Sequence, residues 1–290
     1  MTIHTIGSLV AKTTQFFQEK GIEQPRLDAE ILLGDLLELE RIQLYVRFDQ
    51  PLEEREVSLY RERVKKRSEG MPVAYILGKK EFMGHLFKVT PDVLIPRPDT
   101  EMIVEAGIRY LKSVESPLFL DVCTGSGAIL ISLLKALPEA KGIGTDISEG
   151  ALKIAKENAA SLGVSERAGF LQGDLLSPVG ERKVHGIFSN PPYIPTAHIS
   201  ALQKEVQKEP TLALDGGGDG LDFYRRLLQD SVIYLLPGGF LMMEVGIDQA
   251  GPVKEIAISL GWQEVEGPIC DYGGVERVVV FRRSAIENEV

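Results

Sequence analysis

An apolar run in the second half of the chain ends in a sequence that no central β-strand can continue. The run 184–189 is followed by Asn190, Pro191, Pro192 and Tyr193, which we call the tetrapeptide. Proline has a fixed φ and lacks the backbone N–H that a strand interior needs, so the strand must end at about Asn190. In open parallel sheets, ligands bind beyond the carboxyl ends of the strands. We therefore expect the tetrapeptide to face an active site.

The tetrapeptide carries groups that can hold a planar –NH2 group. Asn190 offers a side-chain carbonyl acceptor, and the Pro191 carbonyl is a second acceptor whose direction is restricted by the ring of Pro192. The ring of Tyr193 can stack on the same planar group. Asn-Pro is also a common turn signal, so a strand-to-loop exit with a capping asparagine is the alternative interpretation.

A glycine-containing turn after an earlier strand indicates a second binding region. The apolar segment 117–122 includes Asp121 close to its end. It leads into a turn of small residues, namely Cys123, Thr124, Gly125, Ser126 and Gly127. Glycine permits close approach of a ligand to the backbone, and the helix N-terminus expected next favours electron-rich groups. The following strand, 142–145, leads to Asp146, where an acidic side chain commonly accepts hydrogen bonds from ribose hydroxyls.

The spacing of this turn bears on the cofactor. A dinucleotide fingerprint would read G-x-G-x-x-G, whereas Gly125-Ser126-Gly127 is followed by Ala128, Ile129 and Leu130. A nucleoside without phosphates, such as S-adenosylmethionine, therefore fits better than a nicotinamide dinucleotide. A third strand, 169–172, leads to Asp174, which we expect to accept a hydrogen bond from an adenine amino group.

Two differently patterned regions predict two domains. Alternating strands and helices in the second part predict an α/β fold with a parallel sheet. The first part has only helical spacing of apolar residues, interrupted by glycine and proline. We assign a helical domain to 1–78, a hairpin linker to 79–92 and the α/β domain to 93–290. The loop 209–221 is expected either to close over substrate or to cap the next helix through Asp219.

Composition restricts the function classes further. The chain has 32 Lys and Arg against 42 Asp and Glu, and this net charge of −10 disfavours a broad nucleic-acid surface. Its two cysteines, Cys123 and Cys270, have no metal-ligand spacing and indicate a reducing compartment. The N-terminus lacks the pattern of a signal peptide, and no apolar run approaches membrane-spanning length. We expect a cytoplasmic protein without membrane association.

Several stretches together resemble the PrmC/HemK family, the protein-(glutamine-N5) methyltransferases that act on peptide chain release factors. The matching residues are 95–101, 121–127, 146, 190–193, 214–217 and 219–221. The tetrapeptide is shared with other amino-group methyltransferases, whereas the Ile-Pro-Arg-Pro stretch at 95–98 and the helical N-terminal domain narrow the resemblance to this family. One departure is Cys123, where the family usually has glycine, so the turn must tolerate a side chain there.

The resemblance implies a fold and a reaction. The fold is α/β, that of a class I S-adenosylmethionine-dependent methyltransferase, with a Rossmann-like, mostly parallel seven-stranded sheet and an N-terminal helical bundle that recognises substrate. The reaction moves a methyl group from S-adenosylmethionine to the amide nitrogen of the glutamine in the Gly-Gly-Gln motif of release factors, leaving S-adenosylhomocysteine. A monomer without metal or direct nucleic-acid binding is expected.

The resemblance also assigns residues. Asn190, Pro191 and Tyr193 would be catalytic, and the substrate would be bound by these three with Pro192 and Arg97. The implied cofactor-binding residues are Asp121, Cys123, Thr124, Gly125, Ser126, Gly127, Asp146, Asp174, Leu175 and Asn190.

Two alternatives remain open at the level of sequence. A nucleic-acid methyltransferase acting on an exocyclic amine of adenine or guanine would also present a planar –NH2 group, although the acidic composition disfavours it. A nicotinamide-dependent oxidoreductase would need a hydride-transfer acid; His185 and His198 flank the site region, but they are better explained as strand and loop residues.

Overall fold

The computed structural model describes residues 4–282 of the chain, which divides into two compact units. The first unit comprises Met1–Gly78 with Gln203–Lys208, and the second comprises Lys79–Leu202 with Glu209–Val290. Within residues 4–282, no helix combines the length and the apolar character needed to span a membrane.

The first unit is built from helices. They are α1 (Ile6–Glu19), α2 (Pro25–Leu37), α3 (Arg41–Val46), α4 (Glu54–Ser68) and α5 (Val73–Leu77). A reciprocal pair of hydrogen bonds caps α1: Ser8 N donates to Thr5 Oγ1 at 3.2 Å, and Thr5 N donates to Ser8 Oγ at 2.9 Å. Arg67, on α4, is buried and pairs with Asp28 at 2.7 Å and with Glu205 at 3.0 Å. The segment Gln203–Lys208 is therefore ion-paired into the helical unit.

The second unit contains the strands and the remaining helices. The strands are β1 (Lys79–Phe82), β2 (His85–Lys88), β3 (Leu118–Val122), β4 (Lys141–Asp146), β5 (Ala168–Gln172), β6 (Val184–Ser189), β7 (Leu235–Glu244), β8 (Gln263–Cys270) and β9 (Glu276–Arg282). The helices are α6 (Glu101–Leu111), α7 (Ala128–Ala136), α8 (Glu149–Ser161), α9 (Asp222–Asp230) and α10 (Ala250–Ser259). A 3-10 turn at Pro98–Thr100 leads directly into α6.

Seven of these strands form one sheet in the order β5-β4-β3-β6-β7-β9-β8, while β1 and β2 form a separate antiparallel hairpin. The pairs from β5 through β7 are parallel, and β9 runs antiparallel to both β7 and β8. The prediction of an α/β fold with a mostly parallel seven-stranded sheet and an N-terminal helical region is confirmed. The chain order reverses around β3, which lies between β4 and β6, so the carboxyl ends of these three strands form the switch point of the sheet.

Both faces of the sheet are buried. Along β6, Ile187 and Phe188 belong to different apolar clusters, and along β7 Leu241 and Met242 alternate in the same way. Successive strand residues point to opposite faces, so each cluster fills the space between one face and its covering helices. The strand ends are consequently the accessible part of the sheet, and they position the site.

Candidate active site

The site lies where β3, β4 and β6 end. A cavity of about 320 Å³ there is lined on one side by Gly125 and Asp146 and on the other by Asn190. The volume falls within the range of about 300–1,000 Å³ typical of small-ligand pockets. The structure thus brings the glycine-containing turn, the acidic end of β4 and the tetrapeptide to one cavity.

Most of the predicted site residues line this cavity. They are Arg97, Cys123, Thr124, Gly125, Ser126, Asp146, Asp174, Leu175, Asn190 and Pro192. Four others lie outside its wall, namely Asp121, Gly127, Pro191 and Tyr193. Gly127 has a packing role, because a Cβ there would lie 2.9 Å from Ile131 Cδ1 and 3.3 Å from the Ala155 side chain. The roles assigned to individual residues stay predictions.

Asp121 lies beneath the turn. Its side chain is fully buried, and its Oδ2 accepts hydrogen bonds from Thr124 Oγ1 at 2.6 Å and from Leu130 N at 3.2 Å. Oδ1 has no hydrogen-bond partner among residues 4–282. Burial raises the pKa of this carboxyl to about 7. Asp121 therefore ties the turn to the first residues of α7.

Asp146 joins the turn to the start of α8. Its Oδ2 accepts a hydrogen bond from Gly125 N and its Oδ1 accepts one from Ser148 N, both at 2.9 Å. Burial raises the pKa of Asp146 although these backbone donors favour its charged form. Each carboxylate oxygen can accept a second hydrogen bond, so Asp146 is equipped to receive two hydroxyl groups of a ligand.

Cys123 stands where the family usually has glycine, and its backbone has a conformation that favours glycine. Its φ is +61°, in the left-handed region that favours glycine, so the turn does tolerate a side chain at this position. Burial raises the pKa of the Cys123 thiol well above its ordinary value, and the nearby charges of Asp146 and Asp121 raise it further. The thiol is accordingly neutral at physiological pH, which disfavours a nucleophilic role.

An ion pair between Asp174 and Arg226 lines part of the cavity wall. Asp174 Oδ2 lies 2.6 Å from Nη2 of Arg226, which is on α9. Apolar side chains of Ile147, Leu175 and Phe223 line the same region. Phe223 and Arg226 were missed by sequence reasoning because α9 lies far along the chain from the glycine-containing turn, and nothing local marks its approach to the cavity.

The substrate side of the cavity contains a second pair that the sequence did not reveal. Asn190 is half-buried, and its Nδ2 donates a hydrogen bond to Thr100 Oγ1 at 3.2 Å. Thr100 also lines the cavity. Because the amide nitrogen of Asn190 is engaged by Thr100, the amide oxygen remains the group available to a hydrogen-bond donor.

Arg97 lies on the same wall and is held by a buried carboxylate. Its guanidinium pairs with Oε1 of Glu209, whose Oε2 accepts a hydrogen bond from Ile95 N at 3.1 Å. Glu209 thereby fixes both the backbone and the charged side chain of the proline-rich passage before α6. In the sequence, only the proline-rich stretch 95–98 indicated that this segment belongs to the site, and nothing marked Glu209 as its partner.

The loop 209–221 packs tightly against the tetrapeptide and the residue that follows it. Ile194 forms a parallel bridge with Asp215, and Gln249 Nε2 donates to the Tyr193 carbonyl at 2.9 Å. A Cβ at Gly216 would lie 2.7 Å from Tyr193 Cα, and one at Gly220 would overlap the Tyr193 carbonyl oxygen. The loop therefore forms a close backbone support for the tetrapeptide.

The expectation that Asp219 caps the next helix is wrong. The residue at the N-cap of α9 is Leu221, and no side chain there bonds to the first turn. Asp219 instead accepts a hydrogen bond from Leu221 N at 3.1 Å and pairs with Arg225. Closure of this loop over substrate stays a prediction.

Tyr193 is partly buried beside charged groups. Burial raises the pKa of its phenol to about 12, with a further increase from the negative charge of Glu244. The phenol is therefore neutral near pH 7 and can act as an aromatic surface or a hydrogen-bonding group, but not as a base.

Among residues 4–282 there is no cluster of His, Cys, Asp and Glu that could hold a metal ion.

The chain is similar to proteins of one family along nearly its whole length. The model of the PrmC N-terminal domain matches residues 8–78, and that of the Methyltransferase small domain matches residues 108–221. A relative from Moorella thermoacetica, named Release factor glutamine methyltransferase, is 46% identical over 96% of this chain and 99% of its own. A relative of the same name from Geobacter sulfurreducens is 44% identical over 96% of both chains.

Solved structures agree at the level of the fold. A methyltransferase from Pyrococcus furiosus covers 68% of this chain and 88% of its own, with 18% sequence identity and a TM-score of 0.50. At this identity the likeness concerns the fold alone.

Proposed function

The chain belongs to the family of release factor glutamine methyltransferases, and we propose that it transfers a methyl group from S-adenosylmethionine to the side-chain amide nitrogen, N5, of a release-factor glutamine. The glutamine is that of the Gly-Gly-Gln motif, as the family resemblance implies. The observation that carries this proposal is the shared cavity, in which Asn190 faces the same space as Gly125 and Asp146.

The residues of the cavity fit the cofactor. Asp146 has acceptor capacity for a pair of ribose hydroxyls, and Gly125 leaves open space beside the turn, since a Cβ there would meet no atom within 4 Å. Ile147, Leu175 and Phe223 supply apolar surface for a flat base, and Asp174 stands beside them. The acidic groups also suit the positive charge of a sulfonium.

When bound, S-adenosylmethionine supplies the methyl group on a positively charged sulfur. The chain's own contribution is to hold the acceptor nitrogen. An amide nitrogen is a poor nucleophile because its lone pair is delocalised into the carbonyl. Asn190 Oδ1 and the Pro191 carbonyl would each accept one N–H, which orients the nitrogen and stabilises the positive charge that develops on it. The nitrogen gains the methyl carbon as the methyl–sulfur bond breaks with its electron pair left on sulfur, and the nitrogen then gives up one proton to solvent.

Substrate recognition is assigned to two regions. The helical domain 1–78 matches the PrmC N-terminal domain over residues 8–78, and the family resemblance assigns this domain to recognition of the release factor. Arg97, held on the cavity wall by Glu209, would bind the substrate near the glutamine. We further propose that the protein acts as a monomer in the cytoplasm and does not bind nucleic acid directly.

The test is to identify the methylated product. The purified chain is incubated with isotopically labelled S-adenosylmethionine and, separately, with a release factor, a release factor whose Gly-Gly-Gln glutamine is replaced by alanine, and total RNA. We expect a mass increase of one methyl group on that glutamine and no label in the other two samples. Label in RNA, or equal label in the glutamine-free release factor, would contradict the proposal.

A further inference from the structure

The side-chain amide of Asn190 can work in only one of its two orientations. Its oxygen accepts hydrogen bonds and its nitrogen donates them, yet the two ends have nearly the same shape. A substrate –NH2 group needs an acceptor, so the oxygen must face the cavity. The surroundings of Asn190 must therefore contain groups that bind its nitrogen end and disfavour the reversed amide.

Glu244 occupies the position that can impose this orientation. It is the last residue of β7, and the register pairs Ser189 of β6 with Met243 of β7, which places Glu244 beside Asn190 at the ends of these neighbouring strands. Its side chain is 2% exposed, and Oε2 has no hydrogen-bond partner within the part of the chain that the structure describes. Thr100, which accepts from Asn190 Nδ2, is likewise buried.

The pKa of the Glu244 carboxyl depends on these neighbours and on burial. Burial raises the pKa of its carboxyl to about 7, whereas the hydroxyl of Thr100, the charge of Arg277 and the amide of Asn190 favour the ionised form. The carboxyl is thus placed where its protonation and the Asn190 amide affect one another.

We propose that Glu244, with Thr100, is a positioning residue that holds the Asn190 amide with its oxygen toward the substrate nitrogen. An ionised carboxylate only accepts hydrogen bonds, so it can face the Asn190 nitrogen but not its oxygen. A protonated carboxyl also donates, and it can bond to the oxygen and reverse the amide. Thr100 completes the arrangement, since its hydroxyl accepts from Asn190 and can donate its own proton to Glu244. This inference rests on the proposed function.

Other charged and titratable groups also face Glu244. Arg277, on β9, is paired with Asp99 at 2.9 Å, and Asp99 belongs to the 3-10 turn before α6. Burial raises the pKa of Tyr193 to about 12 and that of Tyr224, on α9, well above its ordinary value. Neither tyrosine changes charge near neutral pH, so a transition near pH 7 in this group reports on Glu244.

The kinetic test compares Glu244→Gln with the wild type. Glutamine has the same shape, and removing a buried charge need not destabilise the fold. We expect kcat for release-factor methylation to fall about tenfold while affinity for S-adenosylmethionine stays within a few fold. Wild-type kcat should rise with pH through a single ionisation near 7, because the carboxyl must be ionised, and the variant should lack this rise. An unchanged kcat and pH profile in Glu244→Gln would overturn the inference.

Three further variants separate positioning from general disruption. Thr100→Ser keeps the hydroxyl and should retain most of the wild-type kcat, whereas Thr100→Val removes it and should lose about as much as Glu244→Gln. Glu30→Gln is the matched control, because Glu30 is a carboxyl that is also 2% exposed but lies in the helical unit. It should leave the pH profile of kcat unchanged; a profile altered as in Glu244→Gln would overturn the specific role of Glu244.

A spectroscopic test reads the amide directly in the cofactor-free protein. The chain has three asparagines, Asn158, Asn190 and Asn288, so selective ¹⁵N-asparagine labelling gives a simple side-chain spectrum. The Asn190 signal, assigned with Asn190→Ala, should shift with a midpoint near pH 7 in the wild type but not in Glu244→Gln. Asn158 is a reference, since its amide bonds to Lys88 and Ser126.

The two readouts distinguish this inference from the proposed function. If the Asn190 signal titrates through Glu244 but no release factor is methylated, the proposed function fails while the coupling of the two side chains stands. If release factors are methylated but the Asn190 signal is the same in wild type and Glu244→Gln, the positioning role of Glu244 is refuted.

Discussion

The strands on either side of β6 each carry a buried carboxyl at the edge of the active site, and the two groups are held very differently. Asp121, near the end of β3, accepts two hydrogen bonds at 2.6 and 3.2 Å that tie down the glycine-containing turn. Glu244, at the end of β7, resembles Asp121 in having one oxygen without a hydrogen-bond partner among residues 4–282, but it faces the Asn190 amide rather than a backbone turn. Burial raises the pKa of both to about 7.

This difference between Asp121 and Glu244 shows that the two sides of the site are supported in different ways. On the cofactor side, one carboxylate fixes a backbone turn formed by residues close in sequence. On the substrate side, one carboxylate faces the side chains of Asn190, Thr100 and Arg277, which come from remote segments. We therefore expect changes on the first side to act on cofactor affinity and stability, and changes on the second to act on turnover.

The largest expected effect is that of Asn190→Ala. Removing the side chain takes away one acceptor for the substrate nitrogen, and loss of one such oriented hydrogen bond lowers kcat by about 10²–10³-fold. Affinity for S-adenosylmethionine should stay within a few fold, because Asp146 and the turn are untouched. Steady-state kinetics and calorimetric titration measure the two quantities. A variant with wild-type kcat, or one that loses cofactor binding instead, would break the division between the two sides.

A smaller effect is expected for Asp121→Asn, in the pH dependence of stability. The folded-state pKa of Asp121, about 7, lies above its ordinary 3.8, so the folded protein binds this proton more tightly and loses stability as pH rises toward 7. Asparagine removes that loss. The free energy of unfolding of the variant, relative to wild type, should increase by about 2 kcal/mol between pH 5 and 8.

Denaturant unfolding at several pH values measures this change. The kcat–pH profile of Asp121→Asn should keep the wild-type transition that we assign to Glu244. A flat difference in unfolding free energy across this pH range would show that Asp121 does not titrate there. A kcat–pH profile without the transition would show that the two carboxyls are not separable.

The smallest expected effect is that of Asp146→Ala on cofactor affinity. The substitution removes the acceptors for the ribose hydroxyls and the support of Gly125 N, and we expect Kd for S-adenosylmethionine to rise about tenfold, or about 1.4 kcal/mol. At saturating cofactor, kcat should change much less. The matched control is Asp230→Ala, since Asp230 is exposed at the end of α9 and lies outside the cavity wall. Equal affinity in both variants would remove Asp146 from the ribose site.

The sequence predicted the fold class and the family, and both are confirmed. It could do so because the features needed are local: a strand that must stop at two prolines, a turn of small residues, and an acidic residue at the next strand end. The placement of Asn190, Gly125 and Asp146 around one cavity followed from the rule that parallel strand ends share an edge.

Thr100, Phe223, Arg226 and Glu244 were not predicted, for a different reason. Each lies in a segment whose own pattern is that of an ordinary helix or strand end. Their approach to the site depends on strand register and on helix placement, as when the pairing of Ser189 with Met243 brings Glu244 beside Asn190. Likewise, no local signal marks Gln203–Lys208 as part of the helical unit, since its ion pair with Arg67 joins residues far apart in sequence.

The contact of Gly216 and Gly220 with Tyr193 restricts how this enzyme can be re-engineered. A Cβ at either glycine would clash with the backbone of Tyr193, so enlarging either one would displace the tetrapeptide that carries the acceptors. Attempts to redirect the enzyme to bulkier acceptor amides should leave Gly216 and Gly220 unchanged. They should instead vary the substrate side of the cavity, where Arg97 lies, because Phe223 and Arg226 border the region assigned to the base of the cofactor.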